Sequence, residues 1–154
     1  MPQPPDTVRW REAAETDVAA VVALLSDDTL GRTRETGGLD AYRAAFRAMA
    51  SENGNRLIVG TDADGTVIAC FQLIVISGLS LNAARRAQIE AVRVADAYRG
   101  RGVGRALVAE AEDRARAAGA SLMQLTSNAT RARAHAFWAA NGFEPTHVGF
   151  KKAL

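Results

Sequence analysis

Seven consecutive residues, Arg99-Gly100-Arg101-Gly102-Val103-Gly104-Arg105, set three glycines at alternate positions among three arginines. Glycine reaches positive φ without steric cost and lets a ligand come close to the main chain. The segment from Val103 onward has helical character, so these glycines stand at a helix entry. The first N–H groups of a helix lack internal partners and sit at the positive end of its dipole. Such a turn suits a diphosphate, and Arg99, Arg101 and Arg105 add positive charge around it. Two familiar nucleotide loops fail on specific residues. A Walker loop ends in Gly-Lys-Ser/Thr, but Gly104 is followed by Arg105 and Ala106. The dinucleotide fingerprint needs a glycine three positions after Gly102, where Arg105 stands.

The elements around this loop can be laid out from pattern alone. Residues 1–7 are expected to form a flexible N-terminal tail and 8–154 one domain. Val8–Arg11 alternates as a strand, and Thr16 reads as the N-cap of a helix over Asp17–Leu25. Asp27–Gly38 reads as a surface loop. Tyr42, Phe46 and Met49, spaced by four and three, mark an amphipathic helix over Leu39–Ala50. Asp62-Ala63-Asp64-Gly65 is a hairpin turn between strands Arg56–Thr61 and Val67–Ile76. Gln88–Val94 is a fourth strand; simple alternation would put Glu90, Val92 and Val94 on one face and Ile89, Ala91 and Arg93 on the other. The helix after the glycine loop should end before Gly119, Leu122–Thr126 is a fifth strand, and Arg131–Asn141 a last helix. Phe143–Lys152 should supply one or two further strands. The order β-α-α-β-β-β-α-β-α-β predicts an α+β fold, a mixed and mostly antiparallel sheet flanked by helices, with strands four and five parallel.

Composition narrows the function classes. The chain has 154 residues, 48% hydrophobic and 23% charged, as ordinary globular domains do. Its net charge is +2, with 17 acids spread among 19 basic residues, which argues against a nucleic-acid partner. No apolar run approaches the length of a membrane span, and the N-terminus lacks the basic and apolar blocks of a signal peptide, so no membrane partner and a cytoplasmic location are expected. Cys70, the single cysteine, falls inside a strand and reads as a packed core thiol. With His135 and His147 it makes no metal-ligand spacing, so no metal is expected.

Arg99, Gly102 and Gly104 match the Arg/Gln-x-x-Gly-x-Gly/Ala loop, and Ala134-His135-Ala136-Phe137-Trp138-Ala139-Ala140-Asn141-Gly142-Phe143 resembles the closing helix, of the GNAT superfamily of N-acetyltransferases. The resemblance covers roughly residues 8–152. It implies acetyl transfer from acetyl-CoA, as co-substrate, to a small amine acceptor. Val92-Arg93-Val94 would pair through its backbone with the pantetheine arm, and the diphosphate would sit on Arg99, Gly100, Arg101, Gly102, Val103, Gly104 and Arg105. Glu90 stands where many members carry a catalytic base, and the N–H of Val92 would receive the oxyanion, freed by a bulge of which the sequence itself carries no sign. The tyrosine that protonates the thiolate in many members is replaced by Trp138, whose indole N–H is a hydrogen-bond donor but not a readily lost proton. Ser127 and Tyr42 are weaker candidates, and solvent could serve. The family's asparagine three residues before Ala134 is replaced by Arg131; either Asn128 supplies the missing amide or Arg131 reaches the phosphates. The acceptor pocket would be built from the loop after the first helix, holding Asp27, Asp28, Arg32 and Arg34, with the second helix and the Ser77–Arg85 loop. A homodimer is the family's common habit. The substitution at Trp138 also motivates a contrasting reading, a non-catalytic acyl-CoA-binding module.

Overall fold

A computed structural model describes residues 7–154. The expected tail over 1–7 lies outside these residues apart from Thr7. Five strands form one sheet in the order β1 (Arg9–Glu12), β2 (Asn55–Thr61), β3 (Val67–Ile76), β4 (Arg86–Val94) and β5 (Leu122–Gln124). All neighbours are antiparallel except β4 and β5, which are parallel because a helix crosses between them. Among the described residues no helix is long and apolar enough to cross a membrane.

The helices are α1 (Val18–Leu25), α2 (Thr29–Arg34), α3 (Leu39–Ser51), the single turn α4 (Ser80–Ala83), α5 (Val103–Ala117) and α6 (Ala132–Ala140). Helix α5 lays Val103, Leu107, Ala111 and Ala115 on one sheet face, against Ile58, Ala69, Phe71, Leu73, Ala87 and Ile89. Leu107 and Phe71 have no exposed surface, and truncating a buried leucine of this kind costs about 2–5 kcal/mol. Val21 and Leu24 of α1 cover Val59 and Cys70 on the opposite face. The acid-first pairs on α5 form as spaced: Arg114 donates to Glu110 at 2.7 Å and Arg116 to Glu112 at 2.9 Å.

The structure departs from the pattern reading at four places. Thr16 does not cap α1. It lies in a 3-10 turn, Glu15–Asp17, where the Asp17 carboxylate accepts the Ala14 N–H at 2.7 Å and both terminal nitrogens of Arg11 at 2.7 and 2.9 Å. The Asp27–Gly38 stretch contains α2, because the Asp28 side chain caps it by accepting the Gly31 N–H. Residues 143–154 form no strand. Pro145 lacks a donor, β5 offers an edge only three residues long, and among the described residues no backbone hydrogen bond ties 147–154 to the rest of the chain. The fourth departure is a register shift inside β4, and it builds the site.

Candidate active site

Opposite β3, Arg93 pairs with Cys70 and Glu90 with Gln72. One residue, Phe71, separates the β3 partners, whereas two, Ala91 and Val92, separate those on β4. The extra residue is a bulge, and Ala91 takes it up with φ 50°. Side chains two apart share a strand face, so Cys70 and Gln72 point the same way and their partners must too. Glu90 and Arg93 therefore share the α1 side of the sheet, while Val92 and Val94 pack with the α5 core. The alternation expected for Glu90, Val92 and Val94 is broken at this point. The Cys70 thiol donates to the Ala91 carbonyl at 3.4 Å, within the bulge. Burial pushes that thiol up to about 12, so it stays protonated.

Strand β5 accompanies β4 only over Arg86–Gln88. Among the described residues no strand lies beside the outer edge of β4 from Ile89 to Val94, and the unpaired stretch between β4 and the chain leaving β5 is a wedge. The bulge lies on this open stretch. Neither Ala91 nor Val92 is in register with a residue of β3.

At the foot of the wedge stands the glycine loop. Gly100 and Gly102 have φ 72° and 84°, and Gly102 is the N-cap of α5. The N–H groups of Gly100, Gly102, Val103, Gly104 and Arg105 have no hydrogen-bond partner among the described residues. Gly104 is small for another reason as well: a Cβ there would come within 3.1 Å of the Phe137 ring of α6. Arg99 braces the loop from outside, donating to the Val94 carbonyl at 3.2 Å and to Asp96 at 2.8 Å. Tyr98 donates to Asp62 at 2.8 Å, and the Arg101 guanidinium lies 5.1 Å from the centre of its ring. Its hydrogen bond holds the Asp62 carboxyl below the usual range.

Glu90 is exposed on the wedge side and is oriented by a chain of amides. Arg86 donates to Gln124 at 3.3 Å, Gln124 to Gln88 at 2.9 Å, and Gln88 to the Glu90 carboxylate at 2.6 Å. Gln88 and Gln124 are cross-strand partners. Sequence reasoning passed over Gln88; the only signal available was its position two residues before Glu90. Trp138 packs edge-on between Phe137 and Phe143, at ring separations of 4.9 and 5.3 Å, and forms a wall of the core. Tyr42 donates to Glu35 at 2.7 Å, which raises the phenol above its ordinary pKa. Asn128 uses its side-chain oxygen on Thr130, and its backbone carbonyl lies 2.9 Å from His135 Nε2.

Above the bulge, Asp28 meets two cations. Its Oδ2 lies 3.8 Å from Arg93 Nε and 3.5 Å from Arg131 Nη2. Burial raises the Asp28 carboxyl, but the Gly31 N–H and the charges of Arg93, Arg131 and Arg99 outweigh it and hold the group below its usual range. Of the acceptor-pocket residues named from sequence, the structure brings Asp28 to this point, while Arg32 and Arg34 lie exposed in the last turn of α2. A separate hollow of about 210 Å³, lined by Phe46, Met49, Ala50 and Leu57 among others, touches none of these residues.

Comparison with known proteins agrees with this fold. A protein from Bacillus halodurans C-125, described as a transcriptional regulator, shares 35% identity with a TM-score of 0.90, over 96% of this chain and 100% of that one. The glucosamine-6-phosphate N-acetyltransferase of Arabidopsis thaliana superposes at a TM-score of 0.78 over 96% of this chain and 99% of that one; at 18% identity it speaks for the fold alone. The aminoalkylphosphonate N-acetyltransferase of Salmonella typhimurium is 40% identical over 67 residues, which span 44% of this chain and 44% of that protein, less than half the length of either. The family model of the GNAT acetyltransferases matches residues 18–143, and the chain belongs to that family.

Proposed function

We propose that the protein transfers an acetyl group from acetyl-CoA to the primary amine of a small molecule or peptide, by direct attack within a ternary complex. What carries this reading is the wedge between β4 and β5, with a bulge on its free edge and a row of unengaged N–H groups at its foot. The arrangement fits a coenzyme with an extended amide arm and a diphosphate. The main chain of Val92, Arg93 and Val94 would pair with the arm. The loop Arg99–Arg105 would hold the diphosphate at the start of α5, with Arg101 and Arg105 as its cations, and Asn128 has an amide to offer from the far side of the wedge.

The acceptor amine, with a pKa near 10.4, must lose a proton before it can attack. Glu90, exposed and held by Gln88, takes that proton directly or through a water. A new N–C bond forms at the thioester carbonyl, whose oxygen gains charge and is met by the Val92 N–H. The C–S bond then breaks, the nitrogen gives its surplus proton to water, and the thiolate takes its proton from solvent. Trp138 cannot supply it, and the Tyr42 hydroxyl is committed to Glu35.

Calorimetry with acetyl-CoA, followed by thiol release across a panel of amines, tests the proposal. Binding followed by amine-stimulated release is expected. Binding without release by any amine would favour the contrasting reading, an acyl-CoA-binding module. The amines to include are amino acids, amino sugars, polyamines, peptide N-termini and, given the Salmonella relative, aminoalkylphosphonates.

A further inference from the structure

We propose that Arg93 and Arg131 form a clamp for an acidic group on the acceptor, so that the amine acetylated is a small one that also carries a carboxylate or a phosphonate. The inference rests on the acetyltransferase reading above for the identity of the acceptor, and on the following geometry for the clamp.

Arg93 is a poor fit for a purely structural arginine. Its side chain is only 16% exposed. Nη1 donates to the Val92 carbonyl at 2.8 Å, but Nε is buried with no hydrogen-bond partner. A buried charged donor left unmade is costly, and native structures rarely keep one without a use. Nε and Nη2 form the edge of a guanidinium that matches the two oxygens of a carboxylate or phosphonate. On Arg93 neither atom of that edge makes a hydrogen bond among the described residues.

The second cation comes from the other side of the wedge. Arg131 precedes α6, after the chain has left β5, and its Nη2 points at the same Asp28 oxygen that Arg93 Nε faces. At 3.5 and 3.8 Å these are ion pairs without a direct hydrogen bond. Asp28 is held back because its other oxygen caps α2 through the Gly31 N–H. Two guanidiniums thus converge on one carboxylate that neither grips. One more anion would balance the cluster and satisfy the orphaned Nε.

The bulge gives the clamp its distance from the chemistry. Arg93 and Glu90 sit opposite Cys70 and Gln72, two residues apart on β3 and on one face, so their backbones are separated by about 7 Å. An amine beside Glu90 and an acid beside Arg93 therefore belong to one compact molecule, such as a short amino acid or aminoalkylphosphonate. Asp28 acts as an internal stand-in for that acid, and it competes with the acceptor.

The test compares thiol release for 2-aminoethylphosphonate, β-alanine and propylamine, and measures methylphosphonate binding to the protein saturated with CoA. The acidic amines should exceed propylamine in kcat/KM by about 10- to 100-fold, the span of one or two charged hydrogen bonds. The better of the two identifies the acidic group. Arg93→Gln and Arg131→Gln should each erase most of that preference, chiefly through KM. Asp28→Asn keeps a helix cap and removes the internal competitor, so it should tighten methylphosphonate severalfold, which a structural role for Asp28 does not predict. Equal use of propylamine, or displacement of methylphosphonate by CoA, overturns the clamp and leaves the acetyltransferase reading standing. If no amine is acetylated yet methylphosphonate binds and is lost in Arg93→Gln, the clamp stands and the proposed reaction falls.

Discussion

Replacing Ala91 should reverse the usual order of residue preference in a strand. In regular β structure valine is favoured over alanine and glycine is worse than either. At φ 50° the order inverts, because an alanine in the left-handed region carries roughly 1–2 kcal/mol of strain and a β-branched residue carries more. Ala91→Val should therefore destabilise the fold by roughly 1–3 kcal/mol. Ala91→Gly relieves the strain but gives back about 0.4–1 kcal/mol through the freer unfolded chain, so it should fall within about 1 kcal/mol of the parent, on the stable side. Urea unfolding reads both. With a slope of about 2 kcal/mol/M, the valine midpoint should drop by roughly 0.5–1.5 M while the glycine midpoint rises slightly or holds. Turnover supplies an independent reading, since valine would push the bulge toward regular pairing and withdraw the Val92 N–H from the wedge. Loss of one such donor costs about 100- to 1,000-fold in kcat. If valine leaves stability unchanged while glycine lowers it, Ala91 is an ordinary strand residue and the shared face of Glu90 and Arg93 has no basis.

Other expectations follow from single contacts. Glu90→Gln should lower kcat by about 100-fold or more, with acetyl-CoA affinity nearly unchanged; identical kinetics would remove Glu90 as the base. Gly102→Val, at φ 84° and at the N-cap of α5, should abolish coenzyme binding measured by calorimetry, and normal affinity in a folded variant would contradict the loop assignment. The Asp17 carboxyl lies below its usual range, chiefly through the hydrogen bond from Arg11, against burial and with help from the Ala14 N–H. Its contribution is thus complete above the unfolded pKa of about 3.9 and is lost as pH falls through the lower folded value. Asp17→Asn should cost about 1–3 kcal/mol at pH 7, and its deficit in denaturant titrations should close below about pH 4. Cys70, fully buried with its thiol pushed up to about 12, should react with iodoacetamide at pH 8 only as fast as the protein unfolds.

The glycine loop and the order of the strands and of the longer helices α1, α3, α5 and α6 were legible because each depends on residues near one another in sequence. Gly102 announces a left-handed N-cap, Asp62–Gly65 a hairpin, and the Glu112–Arg116 spacing an exposed helix face. The bulge was not legible for the converse reason. Nothing in Gln88–Val94 marks Ala91 for positive φ; what imposes it is the count of residues on β3, where only Phe71 separates Cys70 from Gln72. That count is a tertiary fact, and a slip of one residue moves every later side chain to the other face. Glu90 was thus given the wrong companions: Arg93 shares its face, and the Val92 side chain turns to the core. The same limit hid the role of Asp28. Its capping of α2 is local and could have been read from Asp28 and Gly31, but its approach to Arg93 and Arg131 spans three separate segments. Local sequence thus specified the glycine turn that opens α5, whose glycine N–H groups have no partner among the described residues. The part proposed to select the acceptor is made by side chains brought together only when β3 sets the register of β4, so on this proposal specificity is encoded in strand pairing more than in any motif.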